Sequence, residues 1–106
     1  MEEEAEIKIK EEDIPQGVKF IITGRIDSNT ADYFRIKLER AQKNKKFNII
    51  MNMSEVEYLS SIGIRVIIKA YKVSKEAGGK VEIEKPSEIV RKVLTVTSLN
   101  ELLIQQ

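Results

Sequence analysis

The chain is expected to fold as an α/β domain, with a mixed, mostly parallel sheet, an N-terminal antiparallel hairpin, and helices packed against the sheet. Three observations predict this. The chain opens with two alternating segments, AEIKIK and then Val18, Phe20 and Ile22, the pattern of half-buried strands. Segments of helical period follow, separated by short apolar runs, and strands linked through helices normally lie parallel by right-handed crossovers. A length of 106 residues suits one domain and is too short for two, so one core is expected across residues 1–106.

The elements follow in order. From Ala5 to Lys10, Ile7 and Ile9 share a face; Asp13, Pro15 and Gly17 mark a turn, and the second strand runs up to Gly24. Asp27, Ser28 or Asn29 is then able to cap a helix through its side-chain oxygen. That helix carries Ala31, Phe34, Leu38 and Ala41 on one face and ends near Asn44, where the lysines of KNKK suit the negative end of its dipole. Phe47 to Met53 is nearly continuous apolar, which predicts a central strand covered on both faces.

Ser61 to Ala77 has helical spacing, with Ile64, Ile67, Ile68 and Tyr71 on one side and a stop at Gly78-Gly79. KVEIE is a short strand through Val81 and Ile83. From Ser87, the residues Ile89, Val90, Val93, Leu94 and Thr97 again recur at helical spacing. After a break at Ser98, Leu99, Leu102, Leu103 and Ile104 form either a last strand or a docked tail.

Composition narrows the function classes. Eighteen basic and 17 acidic side chains give a net charge of +1, so nothing in the total points to nucleic-acid binding by counterion release, although Arg40, Lys43, Lys45 and Lys46 cluster locally. Neither cysteine nor histidine is present, which removes disulfides, thiolate nucleophiles, the usual transition-metal ligands and the commonest general base near neutral pH. No cofactor or metal is expected. Gly78-Gly79-Lys80 is not a phosphate loop, because Val81 stands at the Ser/Thr position and Ser74 at that of the earlier glycine. The N-terminus MEEEAE is acidic where a signal peptide is basic and then apolar, so a cytoplasmic protein without membrane insertion is expected.

The chemistry concentrates at Leu59-Ser60-Ser61-Ile62-Gly63, where a strand hands over to a helix. A serine there has three ordinary uses: helix cap, anion contact, or target of chemistry done by another protein. Serine catalysis needs a base, histidine is absent, and the surroundings lack the Gly-x-Ser-x-Gly elbow, so no catalytic residue is assigned. A helix N-terminus favours negative charge, so the fold would tolerate a phosphate on Ser61, and that phosphate would add about two negative charges to an exposed turn. The plainer reading leaves Ser60 as a cap and Ser61 as a first-turn polar residue.

The stretch from Met51 to Ile67, MNMSEVEYLSSIGIRVI, resembles the signature of STAS domains, and specifically of stand-alone bacterial anti-sigma factor antagonists. Thr23-Gly24-Arg25-Ile26-Asp27 with Ala31 after it, Gly78-Gly79-Lys80, and the end from Val93-Leu94 to Leu103 match in order. The resemblance implies a binding module that captures an anti-sigma factor with serine kinase activity and so frees a sigma factor. It also implies that the kinase phosphorylates a serine of this turn with ATP, ending capture, and that a serine phosphatase restores it. The family's commoner motif is Asp-Ser-Ser/Thr-Gly-Leu, with the serine after the aspartate modified. Aligned on Gly63, that residue is Ser61; Ser60 stands in place of the aspartate and Ile62 in place of the second hydroxyl residue. The partner surface implied is Asp27, Ser28, Asn29, Ser60, Ser61, Ile62 and Gly63. The alternative is a STAS subunit of a transporter or signalling scaffold with no phosphorylation switch.

Overall fold

The computed structural model describes residues 6–102. Its elements are β1 (Ile7–Ile14), β2 (Gly17–Ile26), α1 (Ala31–Lys43), β3 (Asn48–Leu59), α2 (Ser61–Glu76), β4 (Lys80–Glu84), α3 (Glu88–Val96) and a short 3-10 turn (Asn100–Leu102). The sheet order is β1-β2-β3-β4. β1 and β2 are antiparallel, while β2–β3 and β3–β4 are parallel, as helical crossovers require.

The hairpin is longer than its apolar pattern suggests. Pairing runs to Ile14–Gly17, and the turn shrinks to Pro15 and Gln16, with Gln16 at φ 61. Glu11, Glu12 and Asp13 belong to β1 although all are exposed, because backbone pairing with β2 places them there. At its other end β2 continues past Gly24 to Ile26.

β3 departs further from expectation. It runs six residues beyond Met53, through Ser54–Leu59, and buries one face only: Ile49, Met51, Met53, Val56 and Leu59 are buried, whereas Asn48, Ile50 and Asn52 are half-buried. The step from Met53 to Val56 to Leu59 breaks the period of two because β3 bulges twice. Between Ile21↔Asn52 and Thr23↔Glu55, β2 advances two residues and β3 three; between Gly24↔Val56 and Arg25↔Tyr58, β2 advances one and β3 two. At the first bulge Asn52 Oδ1 accepts the Ser54 amide at 3.0 Å.

Val18, Phe20 and Ile22 of β2, Ile49, Met51 and Met53 of β3, and Val81 and Ile83 of β4 form one core with Phe34 and Leu38 of α1, Ile67 and Ala70 of α2, and Val90 and Leu94 of α3. The opposite face of the sheet, with Lys19, Ile21, Ile50, Asn52, Glu82 and Glu84, is half-buried. The Lys19 ammonium reaches Glu84 there at 2.6 Å.

Helix α2 buries its small residues, Gly63, Ala70 and Ser74, with Ile67; Ile64, Ile68 and Tyr71 are only half-buried. Gln42 of α1 ties the two helices together, its Nε2 donating to Ala70 O and Ser74 Oγ, both at 2.9 Å. All three helices end alike, with a residue at positive φ after the cap: Lys45, Gly78 and Ser98. At α2 the Gly78 amide donates to Lys75 O at 3.0 Å and that of Gly79 to Ser74 O at 2.7 Å, a closure that satisfies the last carbonyls. Leu99 to Leu102 docks through buried Leu102 and forms no strand among the described residues; Leu103 and Ile104 lie outside the described residues. Among the described residues no helix is long and apolar enough to cross a membrane.

Candidate functional site

β2 and β3 pair in parallel as far as Ile26↔Leu59, so the segments that follow them leave the sheet side by side. The Ser60 amide donates to Ile26 O at 2.9 Å and pins the start of α2 to the end of β2. This bond brings the Asp27-Ser28-Asn29 loop beside the Ser60-Ser61-Ile62 turn, at the carboxyl ends of parallel strands where open α/β sheets commonly bind.

Ser60 has an extended backbone and caps α2, its Oγ accepting the Gly63 amide at 3.2 Å. Its carbonyl accepts the Ile64 amide at 3.0 Å. The next residue, Ser61, is therefore the first of the helix and points to solvent; its hydroxyl makes no hydrogen bond among the described residues. The amides of Ser61 and Ile62 likewise find no protein acceptor among the described residues, as the first amides of a helix ordinarily do not. Ile62 is 39% exposed, a large apolar side chain displayed beside the hydroxyl.

Gly63 allows this geometry. A Cβ there would lie 2.6 Å from Ile26 Cγ2 and 2.8 Å from Leu59 Cδ1, two side chains held in the core. Only glycine lets the first turn of α2 rest on the ends of β2 and β3 and so presents Ser61 and Ile62 outward.

The neighbouring loop is organised differently from expectation. None of Asp27, Ser28 and Asn29 caps α1 through its side chain: the cap residue is Thr30, and no side-chain oxygen accepts from the helix amides. The Asp27 carboxylate turns back within the loop, accepting the Asn29 amide at 2.9 Å. Thr30 Oγ1 accepts the Asp27 amide at 2.9 Å and donates to Arg25 O at 2.8 Å. Asparagine and aspartate compete for local backbone amides in this way, and here the loop takes the acceptor before the helix does. Ser28 and Asn29 are exposed.

Two residues that the sequence did not single out complete the surface. Arg25 pairs across the sheet with Tyr58, and its guanidinium lies 4.6 Å from the centre of that ring. Its Nε sits 3.4 Å from Asp27 Oδ2. Desolvation pushes the Asp27 carboxyl upward, but the Asn29 amide, the Arg25 guanidinium and the Thr30 amide outweigh it and hold the group below its ordinary 3.8. Cross-strand register decides the Arg25–Tyr58 contact, and no local pattern announces it.

The site thus offers an exposed hydroxyl, two free amides, an exposed isoleucine and an aspartate–arginine–tyrosine cluster. The Asp27 carboxylate is committed to its own loop, where it accepts the Asn29 amide.

A family model described as STAS domain matches residues 6–105. An anti-sigma F factor antagonist of Paenibacillus polymyxa is 23% identical over 83 residues, covering 77% of this chain and 71% of that protein. An anti-sigma-B factor antagonist of Bacillus subtilis is 29% identical over 83 residues, covering 77% and 74%. The solved structure of the anti-sigma factor antagonist SpoIIAA in its unphosphorylated form superposes with a TM-score of 0.82 at 20% identity, covering 93% of this chain and 88% of that one. The Bacillus cell fate determinant SpoIIAA in its phosphorylated form gives 0.76 at 19% identity, covering 93% and 91%. At identities this low, the superpositions establish a shared fold.

Proposed function

The chain belongs to the STAS domain family, and from that membership we propose that it is an anti-sigma factor antagonist whose capture of an anti-sigma kinase is controlled at Ser61. The observation that carries the proposal is the division of labour at the turn. Ser60 supplies the cap and is half-buried, which leaves Ser61 exposed, unbonded among the described residues and first in the helix. The names of the relatives from Paenibacillus polymyxa and Bacillus subtilis support the class of partner.

Modification needs no catalytic group in this chain. The partner's active site transfers the γ-phosphoryl group of ATP to Ser61 Oγ, the bond to ADP breaks, and the hydroxyl proton passes to a base of the kinase or to solvent. A serine phosphatase reverses this by adding water to the phosphorus and releasing inorganic phosphate. The new dianion falls where the Ser61 and Ile62 amides and the positive end of α2 tolerate it. Capture suffers because charge and bulk now stand beside Ile62, inside the docking surface. Asp27, Ser28 and Asn29 extend that surface on the β2 side.

Incubation with a kinase-type anti-sigma factor and ATP, read by mass spectrometry, is expected to add one phosphate at Ser61. Ser61→Asp is expected to weaken capture and Ser61→Ala to make it insensitive to ATP. Unmodified Ser61 together with capture unchanged in both variants would remove the switch and favour a scaffold or transporter subunit.

A further inference from the structure

A groove of about 240 Å³ lies between α1 and α2, and Ile62 is among its lining residues. We propose that it seats an acidic amphipathic helix of the captured protein, an inference that rests on the turn being a docking surface and extends that surface along the two helices. The floor is apolar and made of small or buried side chains, Ala31, Leu38 and Ala70, with Val66 and Val73 along the α2 wall.

The rims differ in charge, and this selects the occupant. On α1, Arg35 is consumed locally: its Nη1 donates to Glu39 Oε1 at 3.0 Å and its Nη2 to Asp32 Oδ1 at 3.4 Å. On α2, Arg65 and Lys69 stand four residues apart on the groove side, exposed, and enter no ion pair or hydrogen bond among the described residues. The α1 wall keeps a net negative charge, one guanidinium against two carboxylates, and the α2 wall presents free cations. The complementary ligand has an apolar stripe for the floor and carboxylates along the flank that faces α2.

Its form follows from the walls. The lining spans Ala31 to Gln42 on one helix and Ile62 to Val73 on the other, about 16 Å at 1.5 Å per residue, or three helical turns. Two helices side by side receive a third by packing its ridges into their groove, with anchors at i, i+3 or i+4, and i+7. Ile62 belongs both to this groove and to the turn, so one partner contacts the two without a gap. Ser61 and Arg65 are also i and i+4 on α2, so a phosphate on Ser61 competes with the partner's carboxylates for the Arg65 guanidinium. Phosphorylation then weakens docking along the groove as well as at the turn.

The test uses the full chain, isotope-labelled, with three synthetic peptides of about 18 residues, long enough to hold a helix. One carries a leucine stripe with glutamates along one flank, the second the same stripe with lysines along that flank, and the third is a scramble of the first without a stripe. The glutamate peptide is expected to bind and to shift the amides of Ile62, Val66 and Val73. The double reversal Arg65→Glu with Lys69→Glu is expected to weaken it at least about tenfold and to confer binding of the lysine peptide. Both positions are exposed, so the variant should melt as the parent does; if it does not, Arg65→Gln with Lys69→Gln gives the same comparison. Equal binding of the scramble, shifts away from the groove, or affinity unchanged by both pairs of substitutions overturns the proposal. Failure of the anti-sigma reading looks different: the groove binds the glutamate peptide with this charge dependence, but no anti-sigma kinase is captured.

Discussion

Ser60 and Ser61 are adjacent and separable. Ser60→Ala removes the acceptor for the Gly63 amide and is expected to lower unfolding free energy by about 0.5–2 kcal/mol, measured by urea denaturation. Ser60→Asp restores an acid at the cap and should hold or raise stability, since a carboxylate there also meets the positive end of the helix. Ser61→Ala removes an exposed hydroxyl with no partner among the described residues and should stay within about 0.5 kcal/mol of the parent. A large loss in Ser61→Ala would mean that the hydroxyl is structural. Asp27 makes a second prediction at this scale. Its carboxyl is held below 3.8 in the folded chain, so its contribution is complete above the unfolded value and is lost as pH falls through the lower, folded one. The amide resonance of Asn29 is therefore expected to stay constant from pH 7 down to the region of 3.8 and to titrate below it. A midpoint above that value would contradict the Arg25 and Asn29 contacts.

At the element scale, α1 and α2 are joined by two buried hydrogen bonds from Gln42 Nε2, to Ala70 O and Ser74 Oγ. Gln42→Ala leaves both acceptors buried without their donor and should cost about 1–3 kcal/mol. Ser74→Ala should cost less, because Ala70 O still accepts from Gln42, and the double variant should show a coupling of about 0.5–1.5 kcal/mol. Additive losses would mean that the Gln42–Ser74 bond adds nothing measurable. Elements were legible in the sequence wherever a local rule governs them. Phe34, Leu38 and Ala41 do face the core, Ser60 does start α2, and Gly78 does end it, because period, cap and positive φ act within a few residues. Ser54–Leu59 was not legible as strand, since two bulges scramble the alternation and only pairing with β2 defines it. Phe47 to Met53 read as covered on both faces because an apolar run does not say which faces are covered. The cap of α1 was misassigned because Asp27 had a nearer amide to bind. Of the candidate site, the turn was legible, whereas Arg25, Tyr58 and the α1–α2 groove depend on register and helix packing.

Across the whole molecule, the strands β2, β3 and β4 and all three helices contribute to one core, so unfolding should be a single cooperative event. Far-UV circular dichroism and tyrosine fluorescence are expected to give coincident urea transitions, and separated midpoints would show that part of the chain melts apart from the rest. The fluorescence signal has an unusually simple origin. The chain contains no tryptophan and only three tyrosines. One of them, Tyr58, lies beneath the Arg25 guanidinium at the candidate surface and is 40% exposed. A partner whose acidic group draws Arg25 off the ring, or whose side chain covers it, alters the emission of a chromophore the protein already carries. The stacked pair thus serves as a built-in optical gauge of occupancy, readable without a label and without disturbing either serine.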